Sequence, residues 1–552
     1  MLDRYLLTMR TQANPGKIKV EDIAKLLNLS TKQTRRKLHQ WEKEGWISFS
    51  SGLGRGNSSV FKWVRDVEME YEKYFLQTLE AGKIEEVSKL LLLEWSVETK
   101  QRLMMAFQEN FGFHQEEQDR LIIPRFNPFL TVHPLKAADT HSANLIANLY
   151  NRVVTLHADN RVTPELAHTW EYNDRFLILY LRKDVFFHDG SIMKEEDVVE
   201  TFRRMKSEDH YSKLWEPVTV IDSPAPLVVK LEFPRGCTYI LQLLSLLTAS
   251  IFKESNGSLL GTGGFYLAEN SEEKTVLSAF KQYFGQRPLL DCVEYIQVPK
   301  EFEVIYYGAN ESDKVDTQKV ESDSGFGIVV MNPYRNSDMG RKEVREYIHA
   351  LIANHRHELS KVNSRISGNN EGCLIGISDT YTMPNIPKPI FTQALKMQFV
   401  NYTSETSHWL KVKLEQEGIE VELEEISFRE AVYNASLRLE TDLFIHGEIF
   451  EMNQTFSYFF FLKNSYSPLQ LLTERDPSLQ KHINDYAHIL FEDWNDKHME
   501  IERYLQRESL CIPLYYVKRR IPFSVSLMNI EIKHFGYVDL TKLWVKPSIS
   551  LL

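Results

Sequence analysis

Residues 20–43 read Val-Glu-Asp-Ile-Ala-Lys-Leu-Leu-Asn-Leu-Ser-Thr-Lys-Gln-Thr-Arg-Arg-Lys-Leu-His-Gln-Trp-Glu-Lys. Ile23, Leu26 and Leu27 recur at helical spacing, so 20–27 is predicted to be a short helix with one apolar face. Asn28-Leu29-Ser30 makes a turn. Ser30 has Gln33 three residues on, a capping-box pattern that starts a second helix. That helix runs to about Glu44 and stops at Gly45. At about 100° per residue, Thr34, Leu38 and Trp41 share an inward face. Lys32, Gln33, Arg36, Gln40 and Lys43 fall on the opposite side.

Working outward, Trp46-Ile-Ser-Phe-Ser50 and Ser59-Val-Phe-Lys-Trp63 read as two strands around a Gly-rich turn. Gly52, Gly54 and Gly56 let that turn approach a neighbour closely, and Arg55 stands at its tip. Helix, turn, capped basic helix and hairpin in this order predict a winged helix-turn-helix over residues 1–65. Lys32, Gln33 and Arg36 lie near the end of the helix that meets base edges. Arg and Lys donate to guanine, and Gln pairs with adenine. Arg35 and Lys37 flank that face at phosphate-contacting positions. Ser30, Thr31 and Gln40 complete the expected DNA-facing set, and Arg55 is expected to enter a minor groove or meet phosphate. Trp41, Trp46 and Trp63 are expected in the core.

Charge supports this division. Residues 1–65 carry thirteen Lys/Arg against five acids, a net +8, in a chain of 552 residues whose net charge is −11. Only this head suits a polyanionic partner such as double-stranded DNA. Residues 66–120 are rich in Glu, Leu and Lys at helical spacing, and Gly82 and Gly112 punctuate them. They are expected to form a helical connector, either a dimerising or signal-carrying linker or a rigid spacer on the head.

Hydrophobic residues make up 43% and charged residues 26%, as in ordinary globular proteins. Asp3, Arg4 and Arg10 interrupt the N-terminus, so no secretion signal is expected. No apolar run approaches the roughly 18–20 residues of a membrane span. A cytoplasmic location without membrane attachment is therefore expected. The greasiest stretch, Ile240–Ile251, reads as a buried helix. Cys237, Cys292, Cys373 and Cys511 lie far apart with no CxxC pair, so free buried thiols are expected.

From about residue 121 the pattern mixes strands and helices. Residues 163–202 contain Thr-Pro-Glu-Leu-Ala-His-Thr-Trp-Glu, then Leu-Arg-Lys-Asp-Val-Phe-Phe-His-Asp-Gly, then Glu-Glu-Asp-Val-Val-Glu-Thr-Phe. This block resembles the signature of the oligopeptide/nickel class of periplasmic solute-binding proteins. Asn127–Pro134, Gly261-Thr-Gly-Gly-Phe-Tyr266, Met331-Asn-Pro333 with Lys342–Tyr347, and Ile512-Pro-Leu-Tyr515 resemble further elements of that class in order. The likeness covers roughly residues 121–545. His188-Asp189-Gly190 reads as a tight turn between strand and helix, with Gly190 at positive φ. It is scaffold, as are Asp197 and Val198 on the helix that follows.

A winged-helix head on such a body resembles the SgrR family of transcriptional regulators. The resemblance implies an α+β multidomain chain: N-terminal winged helix-turn-helix, helical connector, and C-terminal two-lobed α/β fold of the periplasmic-binding-protein kind. The expected domains are 1–65, 66–120 and 121–552, with lobe 1 at about 121–265 plus 511–552 and lobe 2 at about 266–510. The implied function is a ligand-responsive DNA-binding regulator that senses a small cytoplasmic metabolite such as a sugar, sugar phosphate or peptide. The alternative is a non-sensing DNA-binding protein whose body is a docking or dimerisation scaffold, and a homodimer fits either reading.

One departure bears on the ligand. Peptide-binding members hold the peptide amine with an acidic residue in a segment of the form W-x-x-D-Y-x-D-P. Here the stretch is Gly447-Glu-Ile-Phe-Glu-Met-Asn-Gln-Thr455, without Asp-Pro. Glu448 or Glu451 stands in that place, which argues against a peptide. Asn332 and Trp409 are further pocket candidates.

No catalytic signature is present: no GxSxG, Walker A, HExxH or GxGxxG. His355 and His357 would point about 200° apart on a helix, and so with His349 they make a poor metal site. Neither enzymatic activity, a cofactor nor a metal is expected.

Overall fold

The computed structural model describes residues 2–50, 59–115, 117–303, 317–363, 365–369, 371–374, 376, 386–434, 436–464, 466–524, 527–533 and 537–546. The expected wing tip, Gly52, Gly54, Gly56 and Arg55, lies outside the described residues.

The head contains helix α1 (Arg4–Gln12), strand β1 (Gly16–Ile18), helices α2 (Val20–Leu26) and α3 (Thr31–Lys43), and strands β2 (Ile47–Ser50) and β3 (Ser59–Trp63). The strands form an antiparallel sheet in the order β1-β3-β2, with Lys17 opposite Val60 and Phe49 opposite Phe61. α1 and β1 complete the winged helix beyond the elements legible in the sequence. Leu6, Leu7 and Met9 of α1 are fully buried, and Asp3 caps the helix by accepting from the Tyr5 N–H at 3.0 Å.

Three helices follow: α4 (Val67–Glu80), α5 (Ile84–Leu91) and α6 (Val97–Gln108). They share one hydrophobic core with the head, in which Leu6, Ile23, Leu38, Trp41 and Phe61 meet Phe75, Val87, Leu91 and Phe107. The expected boundary at 65/66 therefore separates sequence elements but not cores. A winged helix of this size buries little apolar surface alone, and the connector enlarges that core.

The body has two lobes. In the first, strands β4 (Gly112–Gln115) and β5 (Asp119–Arg125) join strands 265–270, 274–279 and 292–297 in one five-stranded sheet. The 292–297 strand runs parallel to β5, pairing Cys292 with Arg120 through to Gln297 with Arg125. A four-stranded antiparallel sheet contains strands 167–172, 176–181, 220–225 and 228–232. Gly190 adopts φ 83° in the expected turn, and the His188 N–H donates to Gly261 O at 3.0 Å. The Gly-Thr-Gly-Gly stretch lies flat on helix 140–149. A Cβ on Gly261 would come within 2.0 Å of Leu149 O, and one on Gly263 within 2.3 Å of Asn148 O.

The second lobe centres on a six-stranded sheet, ordered 366–368, 511–524, 317–331, 443–449, 395–400 and 421–426. The period-2 alternation of strand 317–331 divides two cores. Phe326, Ile328 and Val330 enter the first-lobe core, while Val329 and Met331 pack with Ile348, Ile352 and Leu410.

The lobes are thus composed differently from the expected partition. Strands 274–279 and 292–297 belong with the first sheet, and strand 511–524 belongs with the second. Helices 454–464 and 494–507 pack beside Tyr239, whose ring is 5.0 Å from Phe459 and 5.9 Å from Trp494. Pairing of strands this far apart in the chain leaves no local signal in the sequence. Ile240–Ile251 is buried as expected, though as a six-residue helix and a 3-10 turn. All four cysteines are free and buried. No helix among the described residues is long and apolar enough to cross a membrane.

Candidate DNA-binding face and solute cleft

The start of α3 is built by the expected capping box. Ser30 Oγ accepts from the Gln33 N–H at 3.3 Å, and Gln33 Oε1 accepts from the Ser30 N–H at 3.0 Å. Thr34, Leu38 and Trp41 are fully buried. Thr31, Lys32, Gln33, Arg35, Arg36, Gln40 and Lys43 are exposed. Lys32, Arg35 and Arg36 make no ion pair with any described residue and leave their cationic groups open to a polyanion.

Three expected contacts are partly engaged elsewhere. Gln33 uses its carbonyl oxygen in the cap, leaving its amide N–H groups. Gln40 Nε2 donates to Glu44 Oε1 at 2.8 Å. Lys37 departs furthest from the expected phosphate contact. It is half-buried, its Nζ donates to Asp3 Oδ2 at 2.8 Å, and it lies 5.5 Å from the Tyr5 ring centroid. Its position on the inner flank of α3 makes it a brace between helices.

Asp3 is the residue that sequence reasoning missed. Besides capping α1 and holding Lys37, its Oδ2 accepts from Trp41 Nε1 at 2.9 Å. Its backbone N–H donates to the Tyr71 hydroxyl at 3.0 Å. Burial pushes the Tyr71 hydroxyl up to about 12, so it stays a neutral partner. One acidic residue thus fixes α3 against both α1 and α4. Its signal was only an acid two residues before a helical tyrosine.

In the body, two pocket candidates prove to be interior. Asn332 is 1% exposed, its Nδ2 donates to Thr441 O at 3.0 Å, and its Oδ1 accepts from the Tyr334 N–H at 2.9 Å. It fastens the turn after strand 317–331. Trp409 lies in the core beside Leu410 and Leu414, because its helix turns that face onto the sheet. Neither is placed to meet a solute.

Glu448 and Glu451 lie elsewhere, at and just after the end of strand 443–449. Glu448 Oε2 is 3.2 Å from His446 Nε2, and the Tyr402 hydroxyl is 3.4 Å from His446 Nδ1. Gly447 lets the Tyr402 ring approach, since a Cβ there would stand 3.2 Å from it. The Glu451 N–H donates to Ser457 Oγ at 3.1 Å. This segment runs against the first lobe. Asn453 Nδ2 donates to His157 O at 3.0 Å and to Asn160 Oδ1 at 2.6 Å. Nearby, the Tyr433 hydroxyl donates to Lys136 O at 3.4 Å across the same seam. Hydroxyl, imidazole and carboxylate at a lobe junction suit a polar solute.

His349 Nδ1 lies 3.0 Å from Ser509 Oγ in the interior, and burial pushes its imidazole down to about 3. No group of three or more His, Cys, Asp or Glu among the described residues could hold a metal ion.

Comparison with known proteins follows the same division. Residues 3–114 match a family described as sugar transport-related sRNA regulator N-term. Residues 161–336 match bacterial extracellular solute-binding proteins, family 5 Middle. A Photorhabdus laumondii protein named HTH-type transcriptional regulator SgrR is 22% identical over 565 residues, spanning 97% of this chain and 96% of the relative. The Helicobacter pylori periplasmic binding protein DppA, solved with the peptide STSA, superposes with a TM-score of 0.65 at 16% identity, covering 80% of this chain and all of that one. NikA from Brucella suis, solved with Fe(III)-EDTA, gives a TM-score of 0.64 at 15% identity, covering 77% and 100%. The structural likenesses establish a shared two-lobed α/β fold.

Proposed function

The chain belongs to the SgrR type, an SgrR-type N-terminal domain joined to a family 5 solute-binding domain, and from that premise we propose that it is a cytoplasmic transcriptional regulator whose DNA affinity answers to a small solute. The observation that carries the reading is α3. Its outer face offers Lys32, Arg35 and Arg36 without ion-pair partners among the described residues, on a helix that Asp3 ties to its neighbours through Lys37 and Trp41. Lys32, Gln33 and Arg36 read bases, and Arg35 binds phosphate. Lys37 positions the helix.

The body acts as sensor and not as enzyme. Its solute enters at the seam beside Tyr402, His446, Glu448 and Glu451, and closure is a hinge motion of the lobes. The solute changes DNA affinity only by preferring one lobe arrangement. The missing Asp-Pro beside Glu448 favours a sugar, a sugar phosphate or another polar metabolite over a peptide.

The test is a gel shift of the full chain on the DNA upstream of its own gene, with and without sugars, sugar phosphates and short peptides. A retarded band whose midpoint moves with one class supports the reading. Retardation that no class alters points to the body as a docking scaffold.

A further inference from the structure

The chain leaves the first sheet at Gln297, and residues 298–303, the described start of its passage to the second sheet, are embedded in the connector. Val298 is 1% exposed and Phe302 fully buried, and both belong to the head–connector core. The Phe302 ring lies 6.2 Å from that of Phe107, on α6, and 5.3 Å from that of Phe111 just beyond it. Polar ties flank it. Ser88 Oγ of α5 donates to Gln297 O, Lys100 pairs with Glu301 at 2.8 Å, Lys89 with Glu273 at 3.1 Å, and Glu85 with Lys274 at 3.0 Å. The next described residue, Thr317, opens the long strand at the centre of the second lobe. Among the described body residues, only Ile122, Ile296, Val298 and Phe302 are buried in the head–connector core.

Contacts continue from there to the DNA face. Arg102 of α6 binds Glu72 of α4 through two hydrogen bonds, at 3.1 and 2.8 Å. One residue earlier on α4, Tyr71 holds Asp3, which holds Lys37 and Trp41 of α3.

We propose that residues 298–303, anchored by Phe302 between α6 and the first sheet, transmit lobe movement to the DNA-binding helix. Arg365, beside strand 366–368 of the second lobe, pairs with Glu303 at 3.8 Å, so movement of that lobe acts on this segment at its described end. A close-packed core answers such a movement by shifting helices as units and does not absorb it. Phe302 is a positioning residue for this coupling and touches neither DNA nor solute. The inference rests on the DNA-binding reading above.

The test uses the full chain carrying Lys136→Cys and Tyr433→Cys, joined across the lobe seam by a short bis-maleimide. The four native thiols are buried. DNA affinity is read by fluorescence anisotropy on a labelled duplex from upstream of the chain's own gene, before and after joining. Joining should change Kd by about fivefold or more, a usual size for coupled sites. With Phe302→Ala added the change should vanish, while the unjoined variant keeps the parent Kd within about twofold. Phe302→Leu, which keeps the core filled, should give an intermediate change and guards against misfolding of the alanine variant. A Kd that joining leaves unaltered overturns the transmission alone, as does a full shift that persists in both Phe302 variants. Absence of DNA binding in every form overturns the DNA-binding reading and this inference with it.

Discussion

Asp3 Oδ2 accepts a hydrogen bond from Lys37 Nζ at 2.8 Å, tying the first helix of the chain to the middle of α3. The pair is partly shielded, with side chains 29% and 19% exposed for Lys37 and Asp3. Lys37→Ala should therefore destabilise the head by about 1 kcal/mol, seen as a lower melting temperature. Asp3→Ala should cost more, because it also removes the α1 cap and strands Trp41 Nε1. A melting temperature that neither substitution alters would remove the brace from the account.

Arg36 and Arg35 should separate by the kind of DNA binding they support. Arg36→Ala should relax sequence preference, costing about 1–3 kcal/mol on the preferred site and little elsewhere. Arg35→Ala should weaken all sequences alike. Both should melt like the parent, since neither pairs with a described residue. Competition with a panel of mutated sites measures this, and the opposite assignment would mean that α3 meets DNA on a different face.

Ser30→Ala should cost about 1 kcal/mol by removing the cap acceptor, and the loss should appear as faster amide exchange in the first turn of α3. Ser30→Asp, which restores an acceptor, should recover most of it.

A buried carboxyl gives a pH signature. Glu502 is 5% exposed and accepts from the Cys373 N–H at 2.8 Å. Burial pushes it up from 4.5 to about 7. Between those values the folded chain holds a proton that the unfolded chain has released, so stability falls as pH rises through the window. The full effect is on the order of 3 kcal/mol. Buried His498 and His349, both pushed down to about 3, slope the other way as pH falls below 6.5. The difference between Glu502→Gln and the parent isolates the carboxyl. The variant should gain stability over the parent from pH 5 to 8 in thermal unfolding, and parallel curves would contradict the assignment.

Local chemistry made the head legible. The capping box at Ser30 and Gln33, the 3.6-residue period of Thr34, Leu38 and Trp41, and the cations opposite them all lie within one short stretch. The pairing of Lys37 is not legible there, because its partner Asp3 lies 34 positions away. The same limit governs the body. The His-Asp-Gly turn carries its own signal, but the parallel pairing of strand 292–297 with β5 joins residues such as Arg125 and Gln297 across 172 positions. Asn332 and Trp409 looked like pocket residues because polar and aromatic side chains line pockets. Only the fold shows that each faces inward.

The most direct test of the account is a salt titration of DNA affinity for the full chain and for a Lys32→Ala, Arg35→Ala, Arg36→Ala variant. For the parent, log K should fall linearly with log salt, with a slope of about 0.9 for each phosphate contact. The variant should bind at least about tenfold more weakly and lose roughly one unit of slope for each phosphate contact removed, with an unchanged melting temperature. Equal affinities and equal slopes would show that α3 is not the DNA-binding face.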